Sequence, residues 1–272
     1  MPELPEVEVV RRRLAACLPG LVLREVVVND PAVLEQPLAV VRERLEGRRV
    51  GGLRRRGKYL LVDLVPGSVA VIHLRMTGQL LFRPVPGARP ARFVWLLEPA
   101  TELHFQDARR FGRLWALAAG EEEGFFAARR LGPEPFSDGF TVAWLRERLR
   151  GRRAPLKSFL LDQRNLAGVG NIYADEALFR ARLHPLRPAG TLGPRQAARL
   201  HAALLETLRV GIEHEGASVE SFVDPAGGRG RFQEILYVYQ RTGRPCRVCG
   251  TPVRRVVVGG RGTHFCPRCQ RR

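Results

Sequence analysis

The sequence predicts an α+β protein of more than one domain, and three observations carry that prediction. Residues 21–120 break into short runs rich in β-branched and aromatic residues, separated by Gly/Pro turns such as "VPGS" and "PVPGARP", the pattern of a β-sandwich or barrel. From about residue 141 the apolar spacing turns helical. Near the C-terminus, four cysteines form two C-x-x-C pairs, Cys246/Cys249 and Cys266/Cys269, with sixteen residues between the inner pair. A chain of 272 residues has room for two cores, since one domain takes about 100–200 residues.

Each element follows in order. "PEVEVVRRRLAACL" sets Val7, Val10, Leu14, Cys17 and Leu18 at helical spacing, with Gly20 as a stop. The strand candidates are "LVLREVVVN", "RRVGGLRRR", "YLLVDLV", "SVAVIHL", "RFVWLLEP", "TELHFQD" and "RLWAL". "LGPEPFSDGF" then breaks the pattern, and helices are expected over 141–150, 155–163, 171–182 and 194–216. Within the second and third of these, "AGVG" makes a tight turn and Asn171 is the expected helix cap. Backbone N–H groups there suit a phosphate. The resulting division is 1–132, a hinge at 133–140, 141–242, and 243–272.

Charge narrows the partner. Forty-five Lys and Arg against 27 Asp and Glu give a net charge of +18, a field suited to nucleic acid. No basic amphipathic helix with a Trp/Phe face suggests a membrane surface, and no apolar run approaches the ~20 residues that span a bilayer. The acidic N-terminus is unlike a signal peptide. The expectation is a monomer in the cytoplasm, on nucleoid DNA. Lys58 and Lys157 are the chain's two lysines, so each marks a place where a compact ammonium has been kept among arginines. The four paired cysteines can close a tetrahedral site for one structural Zn²⁺ with no open position. Cys17, alone in a helix, reads as packing. Arg254, Arg255, Arg261 and Arg268 would present charge from the finger to phosphates.

Two stretches and the N-terminus carry candidate chemistry. Met76 in "HLRMTGQL" reads as a strand core filler, or, beside the Thr77–Gly78 turn, as an apolar wedge for a base stack. "QDARRFG" offers Arg109, Arg110 and Phe111 at a strand end. Pro2 and Glu3 suit a helix start, where proline and acids complement the dipole. They also suit catalysis, although the helix start is the plainer reading of these residues alone. Removal of Met1 would leave a secondary amine with a pKa of about 8, able to attack an aldehyde carbon.

"PELPEVE", "RRGKYLL", "HLRMTGQL", "DARRFG", "LGPEP", "LDQRNLAGVGNIYADEALF" and "PCRVCG…RGTHFCPRCQ" occur here in one order over essentially the whole chain. That series closely resembles the bacterial formamidopyrimidine-DNA glycosylases. The resemblance implies an N-terminal two-layer β-sandwich with an N-terminal helix, a helix–two-turn–helix domain and a zinc-finger β-hairpin, with damaged double-stranded DNA as partner. It implies a glycosylase and abasic-site lyase that removes 8-oxoguanine and formamidopyrimidines. Pro2 would be the nucleophile, Glu3 the general acid/base, Glu6 its support, and Lys58 an essential lysine near the phosphate. Arg261 would grip phosphates around the lesion. Met76, Arg109 and Phe111 would fill the gap left by the flipped base. Arg110, Arg153, Lys157 and Asn171 would contact the backbone, and residues 217–232 would close over the lesion.

The chain departs from the family at several positions. Arg75 and Gln240 stand where glycine is common, Ala108 where proline is usual, and Val9 where threonine is common. Arg89 and Arg92, counted with the DNA-binding residues, occupy a segment that typically contains histidine. An endonuclease VIII-like enzyme for oxidised pyrimidines, or a non-catalytic zinc-finger lesion sensor, are the alternatives.

Overall fold

The computed structural model describes residues 1–83 and 90–271, so Arg89 lies outside the described residues. The chain forms two compact units, one of residues 1–129 with 214–233, the other of 130–213 with 234–272.

The first unit contains α1 (Leu4–Ala15), β1 (Val22–Val28), α2 (Leu38–Leu45), β2 (Arg48–Arg56), β3 (Tyr59–Val65), β4 (Ser68–His73), β5 (Gly78–Phe82), β6 (Phe93–Glu98), β7 (Thr101–Asp107), β8 (Arg113–Ala118) and α3 (Glu121–Arg129). The strands pair antiparallel in the order β5-β7-β6-β1-β2-β3-β4-β8. At the centre, β1 and β2 share two residue pairs, Val22 with Arg49 and Leu23 with Arg48. This narrow seam separates two four-stranded halves. Both halves send apolar side chains into one core, Phe93, Trp95 and Phe105 from one, Leu60, Val62 and Ile72 from the other, and α1 adds Val7, Val10 and Leu14. The expected sandwich is thus one continuous sheet folded about a shared core.

The near-continuous apolar run of β3 has a simple cause. Leu60, Val62 and Leu64 face the main core, whereas Leu61 faces a second cluster with Val71, Trp115 and Leu117, against which Phe125 and Phe126 of α3 pack. Burial on both faces removes the usual alternation. α2, α3 and β5 were not anticipated. β5 begins inside the "HLRMTGQL" run, whose turn residues mask its strand character.

Residues 214–233 were expected with the helical domain, and they pack instead on the sheet unit. Phe222 enters the main core. Phe82 N donates to Pro225 O at 2.8 Å, and the Gln79 amide donates to Ser221 O. Asp224 Oδ1 holds the loop by accepting from Ala226 N at 2.9 Å and Gly228 N at 2.7 Å.

The second unit contains α4 (Val142–Leu149), α5 (Leu156–Leu161), α6 (Asn171–Arg180) and α7 (Pro194–Glu213), followed by the β9 (Arg254–Val258) and β10 (Arg261–Phe265) hairpin. Leu145, Leu160, Tyr173, Leu178, Leu204 and Leu208 are buried. The four helices begin within one residue of the expected positions and end up to three residues earlier. One expectation is corrected. Asn171 does not cap α6, whose N-cap is Gly170. The Asn171 amide instead reaches the finger, donating to Gly262 O at 3.0 Å.

Candidate active site and DNA interface

Glu3 is the N-cap of α1, with Pro5 in the first turn. Its backbone N–H donates to Glu6 Oε2 at 2.7 Å, half of a capping box. The other Glu6 oxygen accepts from Ala217 N at 2.8 Å. One carboxylate therefore ties the helix start to the 214–233 segment. Pro2 is buried, and Glu3 and Glu6 are 2% and 1% exposed. An acid held out of water beside a chain start is an unusual structural investment, since burial of a carboxylate disfavours its charge unless donors surround it.

Lys58 occupies the two-residue turn between β2 and β3, where Arg56 pairs with Tyr59 and Gly57 takes φ +58°. Glycine at the first turn position lets the hairpin close without strain. The hairpin is fixed to α1 by Arg55, which donates to Glu8 Oε2 at 3.2 Å and to Gly57 O at 3.1 Å. Glu8 also accepts from Arg11 and Arg12 at 2.8 Å each. Burial alone would push the Glu8 carboxyl up, but these hydrogen bonds and the charges of Arg11 and Arg55 outweigh it and hold its pKa at about 2. Beneath the turn, His73 is driven down to about 3 by burial and by the charges of Arg75 and Lys58. The imidazole is therefore neutral, and its Nδ1 accepts from Arg75 N at 3.0 Å.

Met76 lies in the β4–β5 turn and is half-buried, so it is a loop residue rather than the strand core filler its sequence first suggested. Arg109, Arg110 and Phe111 form the β7–β8 turn; Phe111 is 46% exposed, with the Arg109 guanidinium 5.0 Å from its ring centre. Arg110 donates to Asp30, as part of an exposed ion pair. Arg92 was expected to face DNA. It is buried instead and ion-paired with Asp30 at 2.7 Å.

In the second unit Lys157 is fully buried, also against expectation for a phosphate contact. Its ammonium donates to Asp175 Oδ1 at 2.5 Å and to Asn171 O at 2.8 Å. The other Asp175 oxygen accepts from His264 N at 2.9 Å. Lys157, Asn171 and the β9–β10 hairpin bearing Arg261 are thereby brought together, with Lys157 acting from behind. Arg261 is exposed at the head of β10, and Arg153 is exposed just before α5.

The four finger sulfurs all lie within 4.8 Å of one another, with Cys246–Cys269 at 3.9 Å and Cys249–Cys266 at 3.5 Å. Tetrahedral Zn–S bonds of about 2.3 Å place sulfurs about 3.8 Å apart, so the donor set fits the ion. Phe179, Val238 and Val253 pack against these cysteines.

Three family models match in sequence order: the formamidopyrimidine-DNA glycosylase N-terminal domain over residues 1–114, its H2TH domain over 131–223, and a zinc finger found in FPG and IleRS over 243–272. The chain belongs to the formamidopyrimidine-DNA glycosylase family. A Pelotomaculum thermopropionicum formamidopyrimidine-DNA glycosylase is 45% identical over 100% of this chain and 99% of its own. The structure of the Thermus thermophilus protein is 48% identical with a TM-score of 0.89, covering 99% and 98% of the two chains. A Lactococcus lactis variant bound to Fapy-dG-containing DNA superposes with a TM-score of 0.94 at 32% identity, over 100% of both chains. This glycosylase is a DNA base-excision repair enzyme, and its finger is the family's structural zinc site.

Arg75 and Gln240, neither of them glycine, adopt left-handed conformations, at φ +56° and +54°, which glycine occupies without a Cβ clash. Sequence reasoning missed Glu8, Arg55, Thr77 and Asp107. Glu8 had been visible in "PELPEVE" and Asp107 in "DARRFG", but no local signal names their partners.

Proposed function

We propose that this glycosylase excises oxidised purines, 8-oxoguanine and formamidopyrimidines, from duplex DNA and then cuts the strand by β- and δ-elimination. The reaction starts from Pro2 after loss of Met1. A secondary amine with a pKa of about 8 is neutral in about a tenth of molecules near pH 7, and that form can add to C1′ of the damaged nucleotide. Displacement of the base leaves a Schiff base, which acidifies the C2′ proton and permits elimination. Glu3 moves protons during base loss, Glu6 holds Glu3 in place through its backbone, and Lys58 serves the phosphate and the elimination steps. Met76, Arg109 and Phe111 fill the vacated stack, which lowers the cost of taking a base out of it. Arg110, Arg153, Asn171 and Arg261 meet the phosphates, while Arg92 and Lys157 support that surface from inside.

The observation that carries this reading is the buried helix start, where Glu6 bonds both Glu3 N and Ala217 N. A helix cap alone needs no second partner from a distant loop. The test is incision of duplexes holding 8-oxoguanine opposite cytosine, compared with an oxidised pyrimidine. A one-nucleoside gap with phosphate on both ends, formed faster with the purine, is expected. Preference for the pyrimidine would overturn the substrate assignment. Pro2→Gly should lose strand cleavage by several orders of magnitude while lesion binding survives; unchanged cleavage would remove Pro2 from the mechanism.

A further inference from the structure

Two turns of the first unit carry the candidate wedge residues, and a single side chain joins them. Asp107, at the end of β7, is 5% exposed. Its Oδ1 accepts from the Thr77 hydroxyl, next to Met76, and from Arg109 N at 3.3 Å. Its Oδ2 accepts from Gly112 N at 2.6 Å, closing the turn that holds Phe111. Thr77 Oγ1 in turn accepts from Arg109 N at 3.1 Å. The turns also rest on a common floor. A Cβ on Gly78 would lie 2.9 Å from Phe105 Cε2, and one on Gly112 would lie 2.7 Å from Phe105 Cε1. Neither turn can shift toward the sheet.

We propose that Asp107, with Thr77, is a positioning residue for base extrusion: it sets Met76 against Arg109 and Phe111 so that the two turns enter the base stack as one wedge. This rests on the wedge assignment above. The physical argument is one of stiffness. Filling a stack requires side chains from both turns in one register, and exposed turns with Arg75 and Arg110 at φ +56° and +61° would relax if left untied. A buried carboxylate accepting several donors is strong, directional and costly to lose. The pair of turns therefore moves together or not at all, and Asp107 itself touches no DNA.

The test separates extrusion from chemistry. Asp107→Asn keeps the shape but places an N–H₂ group or loses a charge where Gly112 N or Thr77 must donate. Excision of 8-oxoguanine paired with cytosine should fall about tenfold or more, the scale of one charge-assisted hydrogen bond. Cleavage of a preformed abasic site, where no base needs extruding, should stay within about twofold. Thr77→Val should repeat the split more weakly, and Thr77→Ser, which keeps the hydroxyl, should restore excision. Thr77 is half-exposed, so these variants serve even if Asp107→Asn folds poorly. Equal losses on both substrates, or no loss on either, would overturn the proposal. Failure of the unsubstituted protein on both substrates would instead count against the glycosylase reading itself.

Discussion

Lys58 and Lys157 are the two lysines of a chain with 45 basic residues, one in each compact unit, and both are buried. Their settings differ. Lys157 is 0% exposed and closes an ion pair with Asp175 inside its unit, behind the finger hairpin. Lys58 sits on a hairpin turn whose attachment to α1 is made by its neighbour Arg55, through Glu8. In the second unit the ammonium is itself a fastener; in the first, Arg55 fastens the hairpin turn on which Lys58 lies. Rarity singles out both as places for a compact cation; the ion pair with Asp175 makes Lys157 an internal fastener, and the proposed reaction assigns Lys58 a chemical role.

Substitutions should separate the two. Lys58→Met should lower excision and strand cleavage by about 10²–10⁴-fold, the range for losing a positioned proton-transfer group, with a melting temperature close to that of the unsubstituted protein. Lys157→Met should do the reverse. Leaving Asp175 buried without its cation should cost about 3–5 kcal/mol in a denaturant titration, and the activity loss should appear in KM rather than kcat. Equal stability losses for the two would erase the distinction.

The fastener in the first unit has a pH signature. Glu8 falls from an ordinary 4.5 to about 2 in the folded protein. A depressed folded pKa stabilises the fold above the unfolded value and is lost as pH falls through the folded one. Glu8→Gln should therefore cost about 2–3 kcal/mol at neutral pH, with the gap to the unsubstituted protein closing between about pH 5 and 2. A gap independent of pH would show that the carboxylate's charge is not what holds the hairpin. The smallest effect concerns one residue in each unit. Arg75→Gly and Gln240→Gly should each raise the unfolding free energy from a denaturant titration by about 0.5–1 kcal/mol, because glycine adopts positive φ without a Cβ clash.

Much of the fold was legible because its signals are local. The apolar periodicity of α1, the turn residues between strands and the cysteine spacing each refer to residues a few positions apart. The family motifs extended that legibility to the finger, and they single out Pro2 and Glu3 as candidates. What stayed hidden depends on distant partners. An arginine in an otherwise basic segment gives no sign that Asp30 pairs with it, as happens to Arg92. Lys157 needed Asp175, eighteen positions away and on another helix, to become an internal fastener. The 214–233 segment carries glycines and polar residues like any loop, and it is distant partners that attach it to the sheet unit: Phe222 in the core, Ala217 N on Glu6, Pro225 O on Phe82 N, and Ser221 O on the Gln79 amide. Arg75 is a different case. Its positive φ leaves no trace in its own identity, because arginine is not a residue that signals a left-handed turn.

Once Met1 is removed, as the proposed reaction requires, three amines could do covalent chemistry at carbon, the Pro2 terminus and the two lysines. Incubation with a duplex containing 8-oxoguanine opposite cytosine, reduction with borohydride, and mass mapping of the trapped peptide distinguish them directly. The account predicts one adduct, on the N-terminal peptide at Pro2 with Met1 absent. An adduct on Lys58 or Lys157, or none at all while the lesion is still bound, would contradict it.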